Sequence, residues 1–427
     1  MMTPQKYFDW TELPFSAAEI AYRRNRLVAE LSGESGVFLT PARHHFSDGS
    51  TFRQLDDFYY FTGLELPDSM LVLNLENGEP ILFVPEKDLR FYSAGRGAEF
   101  PGRHLLSDSD IGLASGIRDI RPLESLDGFL ANQTMVWLNP GRGGQMPQLT
   151  SSYFQSWTGL DQFRHHLQQQ HSQLEIYSAY DAIARLRMVK SAAEISLMRH
   201  ACDITMNSIV ETAAHIQPGL DERSLEGILE SGFKSRGAQR PAFDSIIKSG
   251  PNSLWPWRIG AAHYDRRNRQ MQAGEMVVFD VGCELNYYGS DMGRTFPVAG
   301  QFSAEQASVL DTQLEVLDAI IEAMRPGATM AEAHQAAVLA IPESMKEYMQ
   351  VGLFFGHHIG LAMGDPNLPH APFEPGMIIT VEPWVYDHDR QLATFIEDVI
   401  LITPDGNENL TVRLPRTAVG MASLVEG

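Results

Sequence analysis

The 427-residue sequence has little cysteine, a deficit of positive charge and no long apolar run. Two cysteines cannot form the disulfide framework of a small secreted domain. A formal net charge of -21 argues against nucleic-acid and anionic-membrane partners, because both need a basic surface. No apolar stretch approaches the roughly 18–20 residues of a membrane span. The N-terminus also lacks the basic start and apolar core of a secretory signal. These absences predict an acidic globular protein of the cytoplasm.

Helix and strand signals divide the chain into two parts. Residues 1–175 read as a mixed α/β domain, in which the Asn-Gly pair at 77–78 lies between two apolar runs and predicts a hairpin. Residues 176–427 are more regular, with pairs of helices followed by strand-like runs. Four capping boxes predict helix starts, at Ser16, Ser191, Ser303 and Thr329. The sequence therefore predicts an α/β (α+β) protein of two domains, 1–175 and 176–427.

The second part contains an internal repeat. Similar spacings separate three pairs of features: the Pro-Gly pairs at 218–219 and 326–327, Asp280 and Glu382, and Asp291 and Glu397. Such agreement indicates two similar half-domains, each supplying carboxylates from strands. The fold that it implies is a curved antiparallel sheet covered by helices.

Four acidic residues interrupt apolar runs: Asp280 in MVVFDVG, Asp291 in GSDMGRTFP, Glu382 in MIITVEP and Glu397 in FIEDVILIT. A buried carboxylate is costly unless a cation pairs with it, and neighbouring carboxylates repel one another. Arg294 is the only arginine in these runs, whereas two divalent ions would balance four negative charges. The remaining candidate ligand is a histidine in FFGHHIGL, either His357 or His358, whose flanking glycines permit close backbone approach.

Oxygen donors with one imidazole favour hard or borderline ions, with Mn²⁺ first and Co²⁺, Fe²⁺ or Zn²⁺ as alternatives. A pair of such ions activates water and stabilises the charge that develops when the water attacks a carbonyl. The pattern therefore predicts metal-assisted hydrolysis. For each acidic residue taken alone, the alternative is a solvated strand face or an ordinary ion pair.

These segments resemble, in order, the metal-binding blocks of the pita-bread metallohydrolases, and most closely those of the aminopeptidase P (Xaa-Pro aminopeptidase) and prolidase family. FRQLDDFYYFTGLELPDSMLVL is similar to that family's N-terminal domain, so the resemblance covers nearly the whole chain. It implies a metallo-aminopeptidase that cleaves between an N-terminal residue and a following proline. It also implies two metal ions per chain, a peptide substrate with proline at the second position, and a homodimer or homotetramer.

The resemblance assigns five metal ligands: Asp280 on one ion, Asp291 and Glu397 bridging both, and His357 and Glu382 on the other. His357 is favoured over His358 by the family pattern His-x-x-Gly-Leu. Glu382, or a water that it holds, would relay a proton to the leaving nitrogen. His263, in AAHYDRRN, matches a family histidine that donates a hydrogen bond beside the substrate.

Four positions depart from the family pattern: Leu353 and Gly364 replace histidines, Phe395 replaces an arginine, and Trp384 replaces a glycine. The predicted ligands are complete, but much of the substrate-side hydrogen-bonding set is changed. Loss of one such donor can cost roughly 10²–10³ in rate. Either activity on ordinary Xaa-Pro peptides is weak, or other groups take the place of these donors.

His370 is the first candidate for such a replacement, because its loop follows the altered motif, and His388 and His334 are the others. An ordinary surface histidine is the alternative for each. Trp255 is a candidate wall of the substrate pocket, with core or inter-subunit packing as alternatives. Two other functions stay open: a prolidase-like or other amide or ester hydrolase, suited to a less polar substrate by Phe395 and Trp384, and a catalytically weak peptide-binding relative.

Overall fold

In the computed structural model of the protein, the described residues are 13–44, 52–85, 108–140, 159–255, 268–349 and 356–426. The chain divides into two compact units, Met1–Leu186 and Arg187–Gly427. The domain boundary predicted from the sequence is near residue 175. The structural division falls later along the chain, because the strand Glu175–Ser178 pairs with Met135–Leu138 and so belongs to the sheet of the first unit.

The first unit is built on a six-stranded mixed sheet. Its strands are β1 Val37–Pro41, β2 Met70–Asn74, β3 Pro80–Val84, β4 Asp119–Pro122, β5 Met135–Leu138 and β6 Glu175–Ser178. Its helices are α1 Ala17–Glu30, α2 Asp56–Thr62, α3 Asp108–Ser115, α4 Leu126–Leu130, α5 Gly159–Gln170 and α6 Tyr180–Met188, and the division falls within α6. The strand order is β4-β3-β2-β1-β5-β6, with β1–β2 and β2–β3 antiparallel and the other pairs parallel. This confirms the predicted mixed α/β character.

The second unit carries the predicted helix pairs and strands. Its helices are α7 Ala192–Ala213, α8 Glu222–Ser235, α9 Ala304–Ala323, α10 Met330–Ala340 and α11 Ala418–Glu426. Its strands are β7 Arg240–Pro241, β8 Ile246–Ser249, β9 Met276–Val281, β10 Cys283–Leu285, β11 Tyr288–Gly289, β12 Met292–Pro297, β13 Ile378–Val381, β14 Trp384–Asp387, β15 Leu392–Phe395, β16 Asp398–Thr403 and β17 Gly406–Asn409. All pairings between these strands are antiparallel.

Local sequence signals explain where several elements begin and turn. Ser191, Ser303 and Thr329 each form a reciprocal capping box with the residue three positions on, and Ser16 accepts the corresponding backbone hydrogen bond at the start of α1. Between β2 and β3, Gly78 adopts a φ of +74°, which the predicted tight turn requires. None of the described helices is long and apolar enough to cross a bilayer.

The repeat predicted from spacing appears in the topology of the second unit. In the first half, β9 and β12 pair with each other and flank the hairpin β10–β11. In the second half, β13 and β16 pair and flank the hairpin β14–β15. Gly293 of β12 exchanges backbone hydrogen bonds with Glu397, at 3.3 and 3.0 Å, and so joins the halves. The acidic residues lie at equivalent strand ends of this pita-bread fold.

Candidate metal centre

Three of the predicted ligands meet in a buried cluster. One carboxylate oxygen from each of Asp280, Asp291 and Glu397 lies within 4.8 Å of the others. The register explains this convergence, because Gly293 is the pairing partner of both Asp280 and Glu397. Residues opposite each other in a sheet have neighbouring side chains. The three carboxylates therefore lie around a residue that has no side chain.

His357 and Glu382 complete the group. His357 Nε2 lies 3.4 Å from Asp291 Oδ2 and 3.5 Å from Glu382 Oε1. The other ring nitrogen, Nδ1, lies 3.1 Å from the carbonyl oxygen of His358. Because a carbonyl oxygen can only accept, this contact favours the proton on Nδ1. Nε2 then faces the carboxylates and is the nitrogen that would ligate a metal ion once its proton is lost.

His358 is directed to a different environment. It is buried near Lys190 and Asp365, and burial together with the positive charge of Lys190 lowers its pKa to about 3. A neutral, buried ring at this position matches the structural role expected for it. Of the two adjacent histidines, His357 is the one placed among the carboxylates.

Thr380 holds His357 and Glu382 together. Its hydroxyl accepts from the His357 backbone N–H at 3.0 Å and donates to Glu382 Oε1 at 3.0 Å. The backbone approaches closely here, since a Cβ on Gly356 would lie 1.9 Å from the Thr380 carbonyl oxygen. The expected role of a glycine beside the histidines is thus confirmed at Gly356. Thr380 itself was not identified by sequence analysis, although it precedes Glu382 by two residues and so shares its strand face.

Thr380→Val is expected to weaken divalent-metal affinity by about 10- to 100-fold, because this isosteric change removes the hydrogen bond that orients Glu382. Titration of the metal-free protein with Mn²⁺ by calorimetry measures the effect. Thr394→Val is the matched control, since the Thr394 hydroxyl is buried and makes no hydrogen bond within the described residues. Equal affinities of the two variants would contradict the role given to Thr380.

The electrostatics of the cluster indicate a shortage of positive charge. Burial and the charges of the other carboxylates raise the pKa of Glu397 well above its usual value. Burial also raises the pKa of Asp291, and that of Glu382 to about 7, against the opposing charge of His357. Burial alone would lower the pKa of His357, but its hydrogen bond and ion pairs with the carboxylates raise it to about 9. One imidazole does not neutralise four carboxylates.

Arg294 does not supply the missing charge. It is fully buried, pairs with Asp398 at 2.7 Å and donates to the carbonyl oxygens of Glu397 and Pro415. Within the described residues, no hydrogen-bond donor reaches Asp291 Oδ1 or either carboxylate oxygen of Glu397. Unpartnered buried carboxylate oxygens beside an imidazole are a donor set that fits hard or borderline divalent ions.

Two of the positions that depart from the family pattern pack against each other. Trp384 and Phe395 are paired in the β14–β15 hairpin, and their rings stack at 3.7 Å between centroids. Both side chains are buried, with exposures of 3% and 0%. A Cβ on Gly293 would lie 2.2 Å from the Phe395 ring. These two residues therefore form an aromatic wall beside the carboxylates, and Tyr386, stacked on Trp384, is the more exposed ring of the group.

Gly293→Ala is expected to lower the free energy of unfolding by about 1–3 kcal/mol, because the added methyl group would overlap the Phe395 ring. In a Phe395→Leu background the same change should cost less, since the smaller side chain leaves room. Chemical denaturation of the four proteins of this double-mutant cycle measures the coupling, expected at about 0.5–3 kcal/mol. The same cost of Gly293→Ala in both backgrounds would contradict the packing argument.

The predicted substrate-side residues are not joined to the carboxylate cluster in the part of the chain that the structure describes. His263 and Leu353 lie outside the described residues. His370 is on an exposed turn next to Pro372, which pairs with the start of α10, and no described hydrogen bond or ion pair joins it to the carboxylate cluster. Trp255 is 48% exposed, and its ring contacts the ring of His388 at 4.8 Å.

The pita-bread topology and the buried carboxylate–imidazole cluster define the class as a metallohydrolase. Comparison with known families agrees with this. Residues 196–404 match metallopeptidase family M24, and residues 20–93 match the N-terminal domain of aminopeptidase P.

Individual relatives support the same assignment. The chain is 30% identical to Xaa-Pro aminopeptidase 3 of Mus musculus over 94% of this chain and 84% of the relative. It is 28% identical to the Xaa-Pro aminopeptidase of Escherichia coli (strain K12), with 93% and 95% covered. The structure of the Pseudomonas aeruginosa aminopeptidase PepP is similar, with a TM-score of 0.80 and 25% identity over 97% and 99% of the two chains. The chain belongs to the aminopeptidase P family of M24 metallopeptidases, which implies a peptidase that uses divalent metal ions.

Proposed function

We propose that this chain is a dinuclear metal-dependent Xaa-Pro aminopeptidase, which hydrolyses the bond between an N-terminal residue and a following proline. The observation that carries the proposal is the buried cluster of three carboxylates, to which His357 joins a fourth, Glu382, while Arg294 pairs with Asp398 instead. The activity named for the relatives supplies the substrate class.

The metal-holding residues in this proposal are those implied by the resemblance: Asp280, Asp291, His357, Glu382 and Glu397. Mn²⁺ is the first choice because oxygen donors predominate, with Co²⁺, Fe²⁺ or Zn²⁺ as alternatives. Such ions, when bound, would polarise the scissile carbonyl and lower the pKa of the attacking water. A homodimer or homotetramer and a cytoplasmic location stay predictions.

The residues of the chain have separate tasks in this mechanism. Glu382, oriented by Thr380, is placed to carry a proton toward the leaving nitrogen, which must be protonated before the C–N bond breaks. Tyr386 offers a hydroxyl near Asp280 and Glu382, and burial together with these two charges raises its pKa, so the phenol keeps its proton at neutral pH. Tyr386 is thus a hydrogen-bond donor beside the cluster. His263 retains the substrate-binding role that the resemblance gives it.

A peptide panel tests the proposal. Chelated protein, reloaded with Mn²⁺, is assayed on an Xaa-Pro tripeptide, the matched Xaa-Ala tripeptide and an Xaa-Pro dipeptide. We expect metal-dependent release of the first residue from the Xaa-Pro tripeptide and little from the Xaa-Ala peptide. Preference for the dipeptide would favour the prolidase-like alternative. No cleavage of any peptide by fully loaded protein would favour the peptide-binding alternative and overturn the proposal.

A further inference from the structure

Strand β14 runs outward from the metal centre with an aromatic side chain at every second position. Trp384, Tyr386 and His388 follow Glu382 at intervals of two residues. Side chains alternate between the two faces of a strand, so Trp384 and Tyr386 share one face of β14, and His388 lies in the turn directly after it. The rings of Trp384 and Tyr386 confirm this where the contact is described, since they stack at 5.2 Å between centroids and 6° between planes.

Residues from neighbouring segments extend the series at both ends. At the inner end, Phe395 of β15 stacks on Trp384. At the outer end, the ring of Trp255 lies against His388. Exposure rises along the series, from buried Trp384 through half-buried Tyr386 to exposed His388 and Trp255. We refer to Tyr386, His388 and Trp255 as the aromatic strip, and buried Trp384 supports its inner end.

The turn that carries His388 is held in place. Asp387, which is buried, accepts a hydrogen bond from the backbone N–H of Arg390 at 2.8 Å. The side chain of Gln391 donates to the His388 carbonyl oxygen at 2.7 Å. His388 is therefore fixed on the end of the hairpin.

Buried hydrogen bonds to Glu222 hold the turn that carries Trp255. The buried carboxylate of Glu222 accepts from the backbone N–H of Ser249 at 2.6 Å and from the side chain of Asn252 at 3.0 Å. Asn252 lies in the short helical turn Gly250–Leu254, which leads into Trp255 and packs against β15. An exposed tryptophan on an anchored turn, continuous with a buried reaction centre, has the character of a binding surface.

The length and direction of the strip restrict its ligand. At about 3.3 Å per residue, the path from residue 382 to residue 388 is at most about 20 Å long, the length of roughly six residues of extended peptide. An aminopeptidase holds a single residue on the amino side of the scissile bond. Only the carboxyl side of its substrate is therefore long enough to reach the surface along this path.

We propose that the aromatic strip is a subsite for the part of the substrate that follows the proline, and that it binds apolar or proline side chains at the third and later positions. The inference depends on the proposed Xaa-Pro aminopeptidase function. Flat aromatic rings gain contact area and stacking energy with apolar side chains and proline rings, and little with glycine.

The test compares two heptapeptides that share the same Xaa-Pro start and continue with five leucines or with five glycines, which gives the carboxyl side the six residues needed to reach Trp255. Wild-type protein should prefer the leucine peptide in kcat/KM, and Trp255→Ala should reduce this preference by about three- to tenfold, mainly through KM. Trp255→Phe should retain most of the preference, because it keeps an aromatic ring. Tyr22→Ala is the control, since it removes an exposed aromatic residue of the first unit and should leave the preference unchanged.

Binding of the corresponding product peptides, proline followed by five leucines or by five glycines, gives a second readout by calorimetry. Trp255→Ala should bind the leucine product about three- to tenfold more weakly than wild type does. An unchanged leucine preference in an active Trp255→Ala variant would overturn the subsite and leave the proposed function intact. Absence of cleavage by wild-type protein would instead overturn the proposed function. If wild-type protein cleaves no peptide, equal affinities of wild type and Trp255→Ala for the leucine product would overturn the subsite as well.

Discussion

Asp291→Asn is expected to lower kcat/KM for an Xaa-Pro tripeptide by at least about 10³-fold, the equivalent of about 4 kcal/mol of transition-state stabilisation by the metal ions. Asp291 lies close both to the other two clustered carboxylates and to His357. It lies within 4.8 Å of Asp280 and Glu397, and 3.4 Å from His357. Asparagine keeps the size of the side chain and removes the charge, so metal binding should fail without a steric change.

The same substitution should have the opposite effect on the stability of the metal-free protein. Asp291 is one of several like charges buried together, and its neutralisation relieves their repulsion. We expect the free energy of unfolding of metal-free Asp291→Asn to equal or exceed that of metal-free wild type. Asp318→Asn, at an exposed ion pair with Arg416, is the control and should change neither quantity. A variant that keeps wild-type activity would exclude Asp291 from the reaction centre.

The second large effect is on stability. Asp365→Asn is expected to lower the free energy of unfolding by about 3–5 kcal/mol, because it leaves two buried cations without their counterion. Asp365 Oδ1 lies 2.6 Å from Arg187, and Oδ2 lies 3.1 Å from Lys190, with all three side chains almost fully buried. Glu408→Gln, which breaks an exposed pair with Arg199, is the control and should cost less than about 1 kcal/mol.

The cost of Asp365→Asn should also depend on pH. Burial acts to raise the pKa of Asp365, but the charges of Arg187 and Lys190 outweigh it and hold the pKa below its usual value. A carboxylate with a depressed pKa stabilises the fold above its unfolded pKa, about 3.9, and loses this contribution as the pH falls through the lower folded pKa. Urea denaturation at neutral pH and below pH 4 should therefore show a smaller difference between wild type and variant in acid. A difference that stays constant would contradict the assigned ion pairs.

Much of the second unit could be predicted from local sequence. Capping residues such as Ser191 and Thr329 mark helix starts because they satisfy backbone N–H groups within one turn, a requirement that depends on no distant contact. The repeat was visible because equivalent acidic residues recur at similar spacings. Their convergence, however, depends on the register of β12 against β9 and against Glu397, which is a tertiary property.

The surroundings of the cluster were less predictable. Proximity in sequence makes Arg294 a candidate partner of Asp291, but the two are an odd number of residues apart and so point to opposite sides of the extended chain. From the sequence, Phe395 and Trp384 suit a less polar substrate, whereas the structure buries them against each other. That contact joins two strands, and no local pattern reports which strands are neighbours. Tyr386 was missed for the same reason.

The central claim is that side chains from both halves of the second unit hold a pair of divalent ions, and anomalous scattering from a crystal grown with Mn²⁺ tests it most directly. We expect two manganese peaks, with Asp291 and Glu397 contacting both, Asp280 contacting one, and His357 and Glu382 contacting the other. A crystal with no manganese peak among these five side chains, or with manganese held only at other residues, would contradict it.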